Sequence, residues 1–359
     1  MSGRDAIIVR TWQPADNEAL INIARTMSLP ARVRLGIDRA PDFTAFCRAA
    51  GDGFDIVVAE VDGRVAGFME TRRFTFRLRG TPVPIVYLAL AGIDPGRRGL
   101  GLFPRMVAEV ERRSWETDAG LALGLVNARN PGMSRYLAAN RGDIVLGHRI
   151  VVASLLLGRP HQVPSDLAVG PAAPSDLGEI AQLVGRSYER HILTPVVDEA
   201  ALSALGAENI TVCRDRGRIV ATLGTWDQRA LRRIMVVGYG WAERGLRQLL
   251  NLAGGLTRLA RLPARGEELR VLYATYAAAE PGSEGAFAGL LRSVCNRVAG
   301  PGYHALLFGL PEDDPLAAAT RGLWQFRNVD LPVVIPRDAA LRTILGAGPP
   351  SVRFEYAFA

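Results

Sequence analysis

The stretch Ile93–Met106, IDPGRRGLGLFPRM, decides how this chain is read. It sets Gly96, Gly99 and Gly101 among Arg97, Arg98 and Arg105. A nearly continuous apolar run, PIVYLALAGI (84–93), leads into it and reads as a buried strand. Phe103, Met106, Val107 and Val110 then recur at i, i+3, i+4 and i+7, the buried stripe of a helix. Glycine lets a ligand approach the main chain, and a helix start offers unpaired N–H groups with partial positive charge. Together they predict an anion site, most simply for a phosphate.

Two common phosphate motifs do not fit. A P-loop requires GxxxxGK[ST], and this chain has no lysine; all 43 basic residues are arginine. A Rossmann turn requires GxGxxG; Gly99 and Gly101 match its first two positions, but Pro104 occupies the third. Asp118 lies near the spacing of a ribose-binding acid, yet at a helix end rather than a strand tip.

The bulk properties bound the remaining choices. A chain of 359 residues suits two domains, and 48% hydrophobic residues can fill their cores. No apolar run approaches the ~20 residues of a membrane span. The opening MSGRDAIIVRTWQPAD lacks the pattern of a signal peptide, so a cytoplasmic location is expected. Cys47, Cys213 and Cys295 are dispersed, as are His148, His161, His191 and His304, so no metal is expected. A net charge of +7 permits nucleic-acid binding without demanding it. Arg244, Arg247, Arg258 and Arg261 recur in a Leu-rich stretch (244–265) with little aromatic interleaving. A packed or membrane-surface face fits that stretch as well, and nucleic acid is not the expected partner.

Along the chain, AIIVRT (6–11) reads as a strand, ADNEALINIARTM (15–27) and DRAPDFTAFCRAAG (38–51) as helices, and FDIVVAEVDGRVAGFMETRRFTFR as a hairpin turning at Asp62-Gly63. After the buried strand and helix come a second buried strand, LALGLVNA, a short helix stopped by Gly142, and closing strands in DIVLGHRIVVASLLL. The proline-containing GRPHQVPSD (158–166) reads as a linker, after which the same order of elements starts again. Where the first half has Arg98-Gly99-Leu100-Gly101, the second has EPGSEGAF (280–287), with acids in place of arginines. The second half is therefore not expected to hold the same ligand.

This element order resembles that of the GNAT acyltransferases, and the opening stretch resembles their pyrophosphate loop, V-x-P-x-x-R-G-x-G, through Ile93, Pro95, Arg98, Gly99 and Gly101. Phe103 stands where the family more often has a small residue. The resemblance covers 1–157 with the motif and 167–359 by element order alone. It implies an α/β chain (α+β mixed sheet) of two GNAT-like domains in tandem, each a mostly antiparallel sheet flanked by helices, joined by the linker 158–166. The second domain would be degenerate, without a pyrophosphate loop.

The implied activity is N-acyl transfer from an acyl-CoA, acetyl-CoA in the first instance, to a small-molecule or peptide amine. A non-catalytic CoA-binding sensor or scaffold is the alternative, and a homodimer is compatible with either. The resemblance implies cofactor contacts from Arg97, Arg98, Gly99, Leu100, Gly101, Leu102 and Phe103, from the strand edge at Ala91 and Ile93, and from Asn130. An amine of pKa ~10.4 reacts only when deprotonated, so a base or water must take its proton, and the departing thiolate needs a donor. Glu70, on the hairpin strand beside Arg72 and Arg73, is the candidate base. The strand before the loop carries no acid, only Tyr87, which could orient a water. Tyr136 is the candidate donor, two residues before the position that the family's tyrosine would take.

Overall fold

In the computed structural model, residues 6–27, 33–140, 142–158, 160–253, 261–300 and 302–359 are described. The first half runs β1 (Ile7–Thr11), α1 (Asn17–Thr26), β2 (Val33–Asp38), α2 (Ala45–Ala49), β3 (Phe54–Val61), β4 (Arg64–Leu78), β5 (Thr81–Ile93), α3 (Leu102–Glu116), β6 (Leu121–Asn127), α4 (Pro131–Ala139), β7 (Val145–Leu146) and β8 (Ile150–Leu156). The second runs β9 (Ala168–Pro171), α5 (Leu177–Tyr188), β10 (Leu193–Pro195), α6 (Glu199–Leu205), β11 (Ile210–Asp215), β12 (Arg218–Trp226), β13 (Arg233–Tyr239), α7 (Trp241–Ala253), β14 (Val271–Ala279), α8 (Glu284–Val298), β15 (Ala305–Pro311), β16 (Gln325–Pro336) and α9 (Ala339–Leu345).

Local chemistry repeats between the halves. Both hairpins turn through two residues with positive φ: Asp62 and Gly63 at 54° and 74°, Arg216 and Gly217 at 48° and 83°. Such turns match the right-handed twist of the strands that they join. Each half's first long helix follows a proline-led turn, in which Asp16 accepts from Gln13 N–H and Asp176 from Ala173 N–H. The same two carboxylates pair with Arg10 and Arg214.

The strands form one large, mostly antiparallel sheet flanked by helices, in the order β1-β3-β4-β5-β6-β16-β8-β15-β14-β12-β11-β9. The last strand of each half completes the sheet of the other. Residues Asp330–Pro336 of β16 pair with β6, and β8 pairs along its whole length with β15. The two exchanged strands meet each other through 325–330 and 150–155. The closing strands expected for the first half thus lie partly in the second half's sheet. A second link crosses the halves: β2 pairs with β13 through six registered positions. The helix expected over 38–51 is much shorter, and the first residue of that stretch belongs to the pairing of β2 with β13. Asp38 ends β2, where its carboxylate accepts from Arg25 and Arg233, and only Ala45–Ala49 is helical.

Strand alternation divides the first half's core. Val57, Ala59 and Val61 meet Leu102, Met106 and Val110 of α3 on one face. Ile56, Val58 and Phe68 meet Leu20, Ile23 and Ala24 of α1 on the other. The segment 351–359 lies on this second face, where Phe354 packs with Phe74, Phe76 and Tyr87.

The exchange makes a direct prediction. Residues 1–157 expressed alone keep an unpaired β6 edge and are expected to aggregate, whereas co-expression with 158–359 yields a soluble 1:1 pair. Size-exclusion chromatography with multi-angle scattering checks this. A monomeric, cooperatively unfolding 1–157 would contradict it.

Candidate functional site

Two strand irregularities open the site. β5 and β6 are parallel and pair only from Ile85–Leu88 against Leu121–Gly124, so Ala89–Ile93 leave β6 and a V-shaped cleft opens between them. At the same level Ala89 and Leu90 of β5 face the single residue Glu70 of β4, a β-bulge that turns the strand. Ala91 and Ile93 stay registered with Met69 and Gly67 on β4, leaving their other edge towards the cleft.

At the head of the cleft sits the glycine–arginine loop. Asp94 accepts from Gly96 N–H, and Arg97 N–H donates to the Asp94 carbonyl. Gly99 and Gly101 adopt φ of 88° and 72°, where a side chain would be strained, although a Cβ at either position would meet nothing within 4 Å. Gly101 caps α3 from this left-handed conformation. Among the described residues, no acceptor takes the N–H groups of Gly99, Leu100, Gly101, Leu102 or Phe103. Leu102 buries its side chain in the core, which fixes the helix start, and Pro104 contributes no donor. Arg98 is exposed, while Arg97 lies 3.6 Å from Asp62. Five backbone donors and a helix start thus lie together, with Arg97 and Arg98 at the adjoining positions.

Asn130 caps α4 by accepting from Gly132 and Met133 N–H, so its side chain shapes the helix start. Tyr136, on that helix, packs edge-on against Phe103 at 5.4 Å between centroids. The structure therefore places Tyr136 against the loop's own helix. Its hydroxyl pKa is pushed up, mainly by burial and further by Glu111 and Asp143, so it stays protonated at neutral pH.

Below the bulge lies a buried charged cluster. Glu70 is 0% exposed. Its Oε2 accepts from Arg39 Nη1 at 2.6 Å, and its Oε1 lies 2.9 Å from Arg72 Nε. Burial opposes ionisation of Glu70, but Arg39 and Arg72 outweigh it and hold the carboxyl below its usual range. The Phe46 ring is approached by three guanidiniums, Arg39 at 5.2 Å, Arg72 at 5.0 Å and Arg232 at 3.9 Å, and it stacks with Trp226. Glu70, expected as a proton acceptor, is thus a counter-ion with both oxygens beside guanidiniums and no face open to an amine. Tyr87 is buried too, stacked on Phe354 at 4.5 Å and facing Arg72. Burial raises its pKa, and its surroundings leave it little freedom to orient a water.

A carboxylate absent from the sequence-based candidates lies across the cleft. Asp330 is the residue at which β16 passes from β8 to β6, registered with both Ile150 and Asn127. It accepts from Asn127 Nδ2 at 3.1 Å, and the Tyr356 hydroxyl lies close enough to interact with it electrostatically. Burial pushes its pKa up to about 6, against the lowering influence of Asn127 and Tyr356. An acid inside the apolar NVDLPVVIP was the available signal, but nothing local says that this strand sits beside β6.

The second half repeats the splay and the bulge, and closes them with its own chain. β14 pairs with β15 only through Val271–Tyr273, and Tyr276 and Ala277 bulge opposite Leu223. Tyr276 N–H and the Thr275 hydroxyl donate to Glu355 Oε2 at 2.7 and 2.8 Å, and Tyr188 donates to Oε1. Tyr276 holds a φ of 50°, costly for a bulky residue, at the point that Glu355 clamps. In the Leu-rich stretch 244–265, Arg247 faces inward to the carbonyls of Leu262 and Pro263, and 254–260 lie outside the described residues. Trp241, 89% exposed, turns outward instead. Among the described residues, no group of His, Cys, Asp and Glu is arranged to hold a metal, and no helix is long and apolar enough to cross a membrane.

The parallel splay, the bulge and the glycine loop at the helix start define a GNAT-type fold, and comparison with solved structures bears this out. Saccharomyces cerevisiae N-myristoyltransferase with bound myristoyl-CoA superposes with a TM-score of 0.62 at 11% identity, covering 92% of this chain and 82% of that one. A GCN5-related N-acetyltransferase from Sphaerobacter thermophilus gives 0.54 at 13% identity over 92% and 95%. One from Kribbella flavida gives 0.53 at 15% identity over 94% and 73%. No family profile and no curated protein sequence matches the chain.

The buried cluster predicts a pH-dependent stability. Glu70→Gln leaves Arg39 and Arg72 without their anion and should cost about 3 kcal/mol in urea unfolding at pH 7. Because the folded carboxyl titrates below its unfolded value, the stability it supplies is present above the unfolded pKa and fades as pH falls through the folded one. The difference between wild type and variant should therefore shrink in acid. A variant equally stable at pH 7 would contradict this role.

Proposed function

We propose that the chain is an N-acyltransferase that takes its acyl group from an acyl-CoA, with acetyl-CoA the first donor to test, and passes it to a small-molecule or peptide amine. The observation that carries this reading is the loop at the head of the cleft. Five N–H groups from Gly99 to Phe103 without an acceptor among the described residues, the start of α3, and Arg97 and Arg98 suit the two charges of a pyrophosphate. From there the open edge at Ala91 and Ile93 offers main-chain groups to the pantetheine amides, as a sheet edge receives an added strand. The thioester would then rest at the Ala89–Leu90 bulge. The neighbours include an enzyme described with myristoyl-CoA, so longer acyl chains are the next donors to test.

Tyr136, protonated and packed on Phe103, is the reading's proton donor to the departing thiolate. Glu70 serves by fixing Arg39 and Arg72, and Tyr87 by packing. Asn130 supports the wall by capping α4. The second half works as the other wall of the acceptor site in a cytoplasmic tandem protein: acids replace its loop arginines, and Glu355 fills its bulge.

The test is CoA release, followed with a thiol reagent, from acetyl-CoA and longer acyl-CoAs across a panel of amines. Turnover with at least one amine is expected. CoA binding without turnover against any amine would favour the sensor reading. Arg98→Glu should weaken CoA binding at least tenfold in calorimetry, a loss of about 1.4 kcal/mol or more. Unchanged affinity would sink the placement of the pyrophosphate.

A further inference from the structure

The strand leading into the loop carries no acid, and Glu70 is enclosed by Arg39 and Arg72. A carboxylate able to take a proton must come from elsewhere. On β6, Leu123, Leu125 and Asn127 share one face by strand alternation, and Tyr87 is registered with Leu123. On β16, Asp330 is registered with Asn127 and bonded to its side chain, so it shares that face. It stands one strand beyond the cleft, at the level where β5 and β6 have already parted. We propose that Asp330, delivered by the exchanged strand β16, accepts the proton of the acceptor amine in the site of the first half. This rests on the acyltransferase reading above.

The surroundings suit the task. The groups around Asp330 are Asn127 from β6, Tyr356 from the C-terminal segment, Tyr87 from β5, and, farther off around Tyr356, Tyr273 of β14 and Arg232. Burial holds Tyr356 well above its ordinary pKa, so its hydroxyl stays protonated beside the carboxylate. Asp330 is 7% exposed, enough to shelter a proton transfer from bulk water without sealing it. Burial pushes it up to about 6, so it is mostly ionised at neutral pH yet basic enough to act. In the step, the amine nitrogen forms a bond to the thioester carbon. Its proton, made acidic by that bond, passes to Asp330. The C–S bond then breaks, and the thiolate takes a proton from Tyr136. Asp330 returns its proton to solvent, from which Tyr136 is reprotonated. The sum is amine plus acyl-CoA giving amide plus CoA thiol.

The test is the pH profile of kcat/KM for wild type, Asp330→Asn, Asp330→Glu and Tyr356→Phe, using the amine that supports turnover. Wild type should lose activity in acid along a limb near pH 6. Asp330→Asn should lower kcat about a hundredfold or more, leave CoA affinity within twofold and abolish that limb. Asp330→Glu should recover part of the rate. Tyr356→Phe removes a hydroxyl that favours the charged carboxylate, so it should move the limb to higher pH. Calorimetric CoA binding shows that each variant is folded. Wild type without turnover on any amine overturns the acyltransferase reading and this assignment together. An active wild type with Asp330→Asn within threefold of its rate, or with the limb unmoved in Tyr356→Phe, overturns this assignment alone.

Discussion

The structure depends on the meeting of β8 and β16 at its centre. Each is the last strand of one half and each completes the sheet of the other, so neither half has a closed edge without its partner. Unpaired strand edges are costly to expose and prone to association. Reciprocal pairing removes both edges at once. It also fixes the halves in register to within one residue, because a slip would carry every β16 side chain to the opposite face. Asp330 faces Asn127 for that reason. The contact is set by sheet geometry across the whole molecule rather than by a flexible loop.

Charge is distributed with the same economy. On one side of the first half's sheet the chain buries Arg39, Arg72 and Arg232 around Phe46, with Glu70 beside two of them. Desolvating such groups is unfavourable unless each finds a partner. Here the partners include aromatic faces and main-chain carbonyls: Arg232 donates to Ala357, and Arg72 to Ala50. The cluster links α2, β4 and the C-terminal segment to one another. The loop at Gly99–Phe103 is built in the opposite way, open to solvent with its donors unclaimed. One region uses its positive charge for cohesion, while the other leaves Arg98 exposed.

Much of this was legible in the sequence because it was local. The turn at Asp62-Gly63, the stripe on α3 and the loop from Arg98 to Gly101 are written in consecutive residues, and so is the repeated order of elements. What escaped depends on distant partners. Residues 33–38 form a strand only because β13, some two hundred positions later, offers an edge. Glu70 beside Arg72 and Arg73 read as a candidate base, since Arg39 is brought to it only by the fold. Asp330 was one acid in an apolar strand whose neighbours no nearby residue specifies. Tyr136, by contrast, was picked out from a family pattern two residues out of step, and its ring lies against Phe103.

The exchange also bears on how the molecule is made. A ribosome delivers β6 about 200 residues before it finishes β16, and at ~5–20 residues per second that gap lasts roughly 10–40 s. Throughout that time the first half exists with its V-shaped cleft already encoded but with the outer edge of β6 bare. Any chaperone that shields this edge must let go just as β16 emerges. Synthesis of β16 is thus the moment at which both halves close together.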